Sequence, residues 1–509
     1  MALRSISACS FCHRVFAVKT TLRVMSTAAK LQPHVDFLKG EPHRKHPGVT
    51  NLKSLRLPEK LQMAARSIIH RAQVKDLDEK AQNLVHYLWS RKRKVEDKTL
   101  RQKALDLEKE LRSKAIEQHK DVDEQLLEDR IKKKVLSELR RTTYHWKQLK
   151  FDEEMGVVYM AARLAGGFAA VRRALNEIKK RDHSFTPESL LDLVQAWEQS
   201  PGLCHFSLSQ ILFFPHMSLN PFVLFRASRS CWPDSLKEMI CVDSSGPMNT
   251  LAERLLKGDD EKEEPHFKHV YFRQFLPVSP KFDLVVAAFT LSELPKAADR
   301  EDVVFTLWRK TNSYLVLVEN GTKEGHQILM EARDTLLNKQ EETVHDFRPA
   351  SVFAPCPHEL MCPKLAQKPL LPCNFQQRYH TLSLPGQTNH LTEKFSYVIL
   401  TRAAANDVTG LKPGLDSGLD SGVESGLDSG VDSGLDSGLD WARLIAPVQP
   451  RTRHVHCRMC CSDGQLQHVV VTPRKHGRDV YRCARSSDWG DRVPMIQTES
   501  DVHSESDEA

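Results

Sequence analysis

The sequence lacks long apolar runs and has no acidic residue near its N-terminus, and both absences narrow the class of protein. No run of apolar residues is long enough to cross a bilayer, so we expect no membrane span. The first acidic residue is Asp36, and the stretch before it holds Arg4, Arg14 and Arg23 among Ser, Thr and apolar residues. Acid-free, Arg-bearing and Ser-rich N-termini are typical of mitochondrial import signals. We therefore predict a presequence over residues 1–30 and a location in the mitochondrial matrix, rather than a basic tail or a secretory signal.

Charge and cysteine usage narrow the possible partners. The net charge is +7, from 73 Lys and Arg against 66 Asp and Glu, which permits a nucleic-acid partner without requiring one. Of the 12 cysteines, Cys9 and Cys12 lie in the predicted presequence and seven follow residue 350. Because the matrix is reducing, clustered thiols in a matrix protein indicate ligands of a metal or cluster more than they indicate disulfides.

The chain divides by composition into folded units and polar connections. Residues 31–150 form an N-terminal helical region, with helical spacing of apolar residues from about 57 and a charged arm over 95–141. We expect the other boundaries at 151–345 for an α/β core, 346–400 for a cysteine-rich segment that ends the core, 401–440 for a disordered acidic linker, 441–494 for a basic C-terminal module and 495–509 for an acidic tail. The linker contains a Gly-, Ser- and Asp-rich repeat over 414–440, which has no aromatic residue and cannot bury a core.

Short apolar strands alternate with helical patterns from about residue 205 to 320. The strands are predicted at Met239–Val242, Phe282–Ala288 and Tyr314–Val318, and the helices at Met248–Leu256 and Asp302–Lys310. This alternation predicts a parallel, doubly wound sheet.

The same segments resemble a Rossmann-type methyltransferase. FDLVVAAFTLSELP resembles the fourth strand and its loop, ICVDSSGPMNTLAERLL the second strand and helix, and YLVLVENGTKEG the fifth strand and its turn. Asp243 ends the second of these strands, where an acid can bind the ribose hydroxyls of a cofactor or merely cap the strand. We predict a Rossmann-like methyltransferase core with an N-terminal helical region and a small C-terminal β-rich module.

Glycine is missing where a methyltransferase needs it. The cofactor loop after the first strand is expected within Ser207–Ser235, and this window contains no glycine but holds Phe213, Phe214 and His216. Glycines normally let the backbone approach the cofactor there. Either the pocket is filled or this stretch is aberrant, and in both cases we expect little S-adenosylmethionine binding.

Cysteines next to prolines give the strongest chemical signal. FAPCPHELMCPKLAQKPLLPCNF contains Cys356, Cys362 and Cys373, each beside a proline. A second cluster near the C-terminus consists of Cys457, Cys460, Cys461 and Cys483. Soft thiolate ligands suit iron–sulfur clusters or zinc rather than hard cations. The residues alone leave both possibilities open, because Cys457, Cys460 and Cys483 with His454 or His456 would also make a zinc site.

Together these stretches resemble the mitochondrial methyltransferase-like family that assists assembly of the small ribosomal subunit. The resemblance extends to YMAARLAGGFAAVRRALNEI at 159–178, to LWRKTNSYLVLVENGTKEG and to SSDWGD. It implies a 4Fe–4S cluster on four cysteines, which carry over to Cys356, Cys362, Cys373 and Cys460 of this chain.

The resemblance also implies a function in mitochondrial translation. We expect an assembly factor that binds rRNA or precursor particles of the small subunit and no longer methylates. The C-terminal module has the basic and aromatic residues that RNA contacts need, namely Arg451, Arg453, His454, Arg458, Arg474, Lys475, Arg478, Tyr481, Arg482, Arg485 and Trp489. The alternatives are an active S-adenosylmethionine-dependent rRNA methyltransferase and a zinc-dependent RNA-binding module. No Asn-Pro-Pro-Tyr tetrapeptide follows the predicted fourth strand, which argues against amino methylation.

Overall fold

The computed structural model describes the folded parts of the chain. The described residues are 38, 40–118, 124–144, 146, 149, 151–195, 221–257, 269–277, 281–339, 346, 348–382, 390–402 and 441–495. The predicted presequence over 1–30, the acidic repeat over 414–440 and the tail after residue 495 lie outside them.

Helices precede the α/β core, as the helical spacing of the N-terminal region predicts. They are α1 Glu59–Ala72, α2 Leu77–Ser90, α3 Asp97–Gln118 and α4 Glu124–Thr142. α1 buries Leu61, Ala64 and Ile68 along one face, and α2 buries Leu84 and Leu88. α3 and α4 pack on each other and carry exposed ion pairs at helical spacing, as expected of a charged arm. Within the described residues, no helix combines the length and the apolar character that crossing a membrane requires.

A mixed sheet with helices on both faces forms the core. Its elements are α5 Glu153–Arg181, β1 Ser189–Gln195, α6 Pro221–Cys231, β2 Glu238–Asp243, α7 Gly246–Lys257, β3 Val270–Arg273, β4 Phe282–Ala288, α8 Ala297–Lys310, β5 Thr311–Asn320, α9 Lys323–Asn338, β6 Ala350–Ala354, β7 Phe375–His380 and β8 His390–Arg402. The strand order is β3-β2-β1-β4-β5-β8-β6, and β7 also pairs with β8. Strands β1 to β5 are parallel, and β8 is antiparallel to β5. This topology is the predicted Rossmann-like methyltransferase fold.

The sheet confirms three predicted strands and corrects the position of the first. Met239–Val242, Phe282–Ala288 and Tyr314–Val318 lie in β2, β4 and β5. The first strand lies upstream of the stretch where we expected strands, and it pairs with both β2 and β4 at the centre of the sheet. The prediction that Ser207–Ser235 is the loop after this strand is wrong in its second half, because α6 begins at Pro221.

Burial on both faces explains why the central strands are apolar throughout. On β4, Leu284 and Val286 pack on the side of α5, while Val285 and Ala287 pack on the side of α8 and α9. Strands covered on both faces lose the apolar–polar alternation of half-exposed strands.

A smaller antiparallel sheet forms the C-terminal module, as predicted. Its elements are β9 Ala442–Leu444, β10 Gln449–Pro450, β11 Val455–Cys460, β12 Leu466–Val471, α10 Pro473–His476, α11 Arg478–Ser486 and β13 Arg492–Val493. The strand order is β10-β11-β9-β13, with β12 beside β11. Val455, Met459 and Val471 from the sheet and Val480 from α11 form its own apolar core.

A buried ionic contact joins this module to the core. The Glu177 carboxylate on α5 accepts hydrogen bonds from Arg443 Nη1 at 2.8 Å, Arg173 Nη1 at 2.9 Å and Tyr397 Oη at 3.0 Å. Arg443 also donates from Nε to the Pro355 carbonyl at 2.9 Å. Burial alone would raise the pKa of Glu177, but Arg443 and Arg173 outweigh it and hold that pKa well below its ordinary value. The carboxylate therefore stays charged and fully paired inside the protein.

The segment before α1 adds a second connection. Asp491 Oδ1 accepts hydrogen bonds from the backbone N–H groups of Thr50 at 2.8 Å and Asn51 at 2.9 Å. The Arg492 N–H donates to the Gly48 carbonyl at 2.8 Å. A Cβ on Gly48 would lie 2.0 Å from the Arg492 carbonyl oxygen, so this close approach requires glycine.

Arg443→Met should strongly destabilise the protein, because Glu177 would lose the cation that contributes most to its low pKa. Breaking one partner of a buried pair costs about 3–5 kcal/mol of unfolding free energy. Urea unfolding should show this loss, whereas Arg141→Met, which breaks an exposed pair with Glu138, should change it by less than about 0.5 kcal/mol. Equal effects of the two substitutions would contradict the proposed importance of the buried contact.

Candidate metal centre and cofactor site

The structure brings the four predicted ligand cysteines into one region. Cys356 and Cys362 lie in the loop after β6, Cys373 lies just before β7, and Cys460 ends β11 of the C-terminal module. Burial raises the pKa of Cys460, and negative charge on Cys356, Cys373 and Cys362 would raise it further. The sequence separates Cys460 from the other three, so only the docking of the module on the core makes them neighbours.

Burial raises the pKa values of these thiols and favours their neutral form, although nearby cations oppose the shift. The pKa of Cys356 is raised to about 11, first by burial and then by Cys362, although Arg333 opposes the shift. The pKa of Cys373 is raised to about 12 by burial and by the charges of Cys356 and Cys362. A metal or cluster must therefore displace protons here, which couples its binding to pH and to folding.

Imidazole nitrogens contact two of the thiols. His358 Nε2 lies 3.3 Å from Cys460 Sγ, and His326 Nε2 lies 3.6 Å from Cys362 Sγ. His326 projects from α9 and His358 follows Cys356 in the loop, so both sides of the region supply polar partners. The motif around the cysteines could have indicated His358, but no local pattern marks His326.

The arrangement does not form a ready single-ion site. Among the described residues, no group of three or more His, Cys, Asp or Glu side chains is placed to hold a metal ion. The donor set still has the chemistry of a soft centre, because it consists of cysteine sulfurs held in a largely buried region.

The other C-terminal cysteines have structural surroundings. Cys457 packs in the apolar core of the module, and burial is the cause of its raised pKa. Cys483 on α11 is buried, and its raised pKa is due to burial and then to Asp479. The alternative zinc site requires Cys457 and Cys483 beside Cys460. The thiols that raise the pKa of Cys460 include instead the other three predicted cluster ligands, Cys356, Cys373 and Cys362.

Asp243 ends β2, as predicted for an acid at a nucleotide site. Its side chain is buried, and its Oδ1 accepts the Ser245 N–H at 2.8 Å. Its Oδ2 has no hydrogen-bond partner among the described residues. Burial raises its pKa from 3.8 to about 7, against the opposing effect of the Ser245 hydrogen bond.

A second buried carboxyl group, which the sequence reasoning missed, lies next to it. Asp192 on β1 is buried, and both burial and the charge of Asp243 raise its pKa well above the ordinary value. The signal was available in SLLDLVQ, where one acid interrupts an apolar strand. Asp192 and Asp243 lie on adjacent parallel strands at the sheet centre, and nucleotides bind at the carboxyl ends of such strands.

The loop that would complete such a cofactor site lies outside the described residues. It connects β1 to α6 through residues 196–220, and its sequence contains a single glycine, Gly202. The described side of the site therefore consists of the strand ends and their two carboxyl groups.

Asp243→Asn should make stability less dependent on pH. Since the folded protein binds this proton more tightly than the unfolded chain, Asp243 lowers the unfolding free energy progressively as pH rises from about 4 to about 7. Asn cannot ionise and can still accept the Ser245 N–H, so the variant should gain on the wild type by on the order of 2 kcal/mol between pH 5 and 7.5. Urea unfolding at both pH values measures the difference, and exposed Asp234→Asn serves as the control. If the unfolding free energies of both variants changed by the same amount between pH 5 and 7.5, Asp243 would be ionised in the folded protein throughout this range.

Comparison with known proteins places the chain in a family. The family described as mitochondrial small ribosomal subunit Rsm22 matches residues 153–220 and 212–494. The human protein named ribosome assembly protein METTL17, mitochondrial, is 43% identical over 462 residues, which cover 90% of this chain and 87% of that protein. The Rsm22-cox11 tandem protein 2, mitochondrial, of Schizosaccharomyces pombe is 29% identical over 234 residues, which cover 43% of this chain and 30% of that protein.

The matches to solved structures are more distant. A magnesium protoporphyrin IX methyltransferase from Synechocystis is 10% identical with a TM-score of 0.27, and the match covers 56% of this chain and 100% of that one. A putative RNA methyltransferase from Pyrococcus horikoshii is 10% identical with a TM-score of 0.25, and the match covers 46% of this chain and 85% of that one. The family match extends over the sheet, the cysteine segment and the C-terminal module, and this chain belongs to the mitochondrial small ribosomal subunit Rsm22 family.

Proposed function

We propose that this chain is a mitochondrial assembly factor of the small ribosomal subunit and that it holds a 4Fe–4S cluster on Cys356, Cys362, Cys373 and Cys460. The observation that carries the cluster proposal is the convergence of these four thiols from the core and from the C-terminal module. The assembly role is supported by the name of the human relative and by the family. The acid-free N-terminus supports import into the matrix.

A cluster at this position would have a structural role. It would supply iron–thiolate bonds between the loop after β6 and the end of β11, which belong to separate sheets. Ligand thiolates drawn from distant segments make metal binding part of folding. We therefore expect the basic surface of the module to have its native orientation in the cluster-loaded protein.

RNA is the proposed partner of that surface. Arg474 and Lys475 on α10 and Arg478 and Arg482 on α11 are exposed, while Val480 and Cys483 turn toward the core of the module. A helix with one cationic face and one buried face presents its charges together to the solvent. Phosphate contacts of this kind give RNA affinity with a steep dependence on salt.

Binding rather than methylation fits the core best. The segment between β1 and α6 has one glycine, whereas a cofactor loop needs several for close backbone approach. The buried Asp243 and Asp192 carboxyl groups are remnants of a nucleotide site in this proposal, and the sheet serves as a scaffold.

Protein purified without oxygen should contain about four iron and four sulfide per chain. Cys460→Ser should lose both and unfold at lower urea concentration, because one ligand and the link between the sheets disappear. Cys457→Ser, a buried cysteine on the same strand, is the matched control and should keep its iron. Stoichiometric zinc without sulfide in the wild type would exclude the cluster.

Charge reversal at Arg474, Lys475 and Arg478 should weaken binding to small-subunit rRNA and lower the slope of log affinity against log salt by about 2 to 3. The measurement is fluorescence-anisotropy titration at several salt concentrations, combined with sedimentation of mitochondrial extract. The control reverses three exposed lysines of the core, which are Lys237, Lys257 and Lys296. If both triple variants bind and co-sediment alike, the RNA surface lies elsewhere, and the charged helices α3 and α4 become the next candidates.

A further inference from the structure

A buried arginine faces the cysteine region from α9. The Arg333 side chain has no solvent exposure. Its Nη1 lies 3.7 Å from Cys356 Sγ, its Nη2 donates to the Leu360 carbonyl at 2.8 Å, and its Nε donates to Asp334 Oδ1 at 2.8 Å. The guanidinium thus contacts two positions, Cys356 and Leu360, of the loop that carries the first two predicted ligand cysteines.

The charge of this arginine is only partly compensated by its carboxylate partner. The Asp334 side chain is 35% exposed, so solvent screens its attraction for Arg333. Burial would lower the pKa of Arg333, and negative charge on Cys356, Asp334 and Cys362 raises it. A buried cation is costly unless negative charge lies beside it.

Reciprocal effects act on the thiols. Arg333 lowers the pKa values of Cys356 and Cys362, both of which burial raises. Lys364 acts on Cys362 in the same direction. The buried Arg443, which is paired with Glu177, also lowers the pKa of Cys356, but Arg333 places a guanidinium nitrogen directly beside the sulfur of that residue.

We propose that Arg333 is a positioning residue that balances the negative charge of a cluster on these cysteines and raises its reduction potential. This inference rests on the proposed 4Fe–4S cluster. A cluster with four thiolate ligands is negatively charged, and taking up one electron makes it more so. The cation and the N–H donor beside Cys356 stabilise the reduced form more than the oxidised form, and hydrogen bonds to sulfur are among the factors that set such potentials.

The role of Arg333 differs from that of the two histidines next to the thiols, so it can be tested separately. His326 lies beside Cys362 and His358 beside Cys460, so each can offer a ring N–H to one thiolate. Arg333 differs because it adds a permanent positive charge, which Lys can retain and Met cannot.

The test compares Arg333→Met, Arg333→Lys and the control Arg402→Met in anaerobically purified full-length protein. Arg402 is a buried arginine whose guanidinium donates to the carbonyls of Thr311 and Trp308 instead of facing a cysteine. Iron and sulfide per chain, the rate of iron release to a chelator and the midpoint potential from dithionite titration are measured for each.

We expect iron release from Arg333→Met to be about 10- to 100-fold faster than from the wild type, with a lower midpoint potential. A tenfold loss of preference for the reduced form corresponds to about 59 mV for one electron. Arg333→Lys should lie between the two, because it keeps the charge but cannot bridge Cys356 and Leu360. Arg402→Met should match the wild type in both cluster properties even if it unfolds more easily.

The possible failures are distinguishable. If the wild type holds iron and sulfide and Arg333→Met matches Arg402→Met in release rate and potential, the inference is wrong and the proposed cluster stands. If the wild type contains neither iron nor sulfide, both the cluster and the role of Arg333 are excluded. Should Arg333→Met fail to fold, Arg333→Gln decides, because it removes the positive charge but keeps a polar N–H donor, and a wild-type potential and release rate in that variant would overturn the inference.

Discussion

The buried carboxylate of Glu177 is the interaction on which the geometry of the cysteine region depends. It fixes Arg443, and Arg443 lies opposite Cys460 in the pairing of β9 with β11. The same guanidinium donates to the carbonyl of Pro355, which immediately precedes Cys356. One charged pair therefore links the position of Cys460 to that of Cys356, two of the four proposed cluster ligands. Because both partners are buried, the geometry is held by a contact that salt and solvent weaken little.

This arrangement separates the docking of the module from the binding of a cluster. The module has its own apolar core, and Asp491 ties it to the backbone of Thr50 and Asn51. A cluster would add a covalent link to an interface that polar contacts already define. Burial favours neutral thiols. The positive charges of Arg333 and Arg443 oppose this effect and lower the pKa of Cys356. These cations would therefore stabilise the proposed cluster electrostatically.

The methyltransferase-like sheet provides the scaffold for this arrangement. The apolar segments in β2, β4 and β5 were predictable because strands covered on both faces are continuously apolar. β1 was missed, and Asp192 with it, because this acid interrupts the apolar run of a strand that is only seven residues long. The position of Asp243 at a strand end followed from the same pattern, but its burial and the neighbouring Asp192 depend on how β1 and β2 pair in the sheet.

The sequence by itself determined the helical N-terminal region, three strands of the core, the β-rich module and, through a family resemblance, the four cysteines that come together. Only the tertiary structure decided which other side chains surround them. Arg443 and Glu177 are 266 positions apart in the chain, and Cys460 and His358 are 102 apart. The spacing of apolar residues along a helix or strand indicates which face of that element is buried, because the spacing involves only residues close in sequence. Which buried charge meets which partner depends on the packing of distant elements, and no local pattern of residues encodes it.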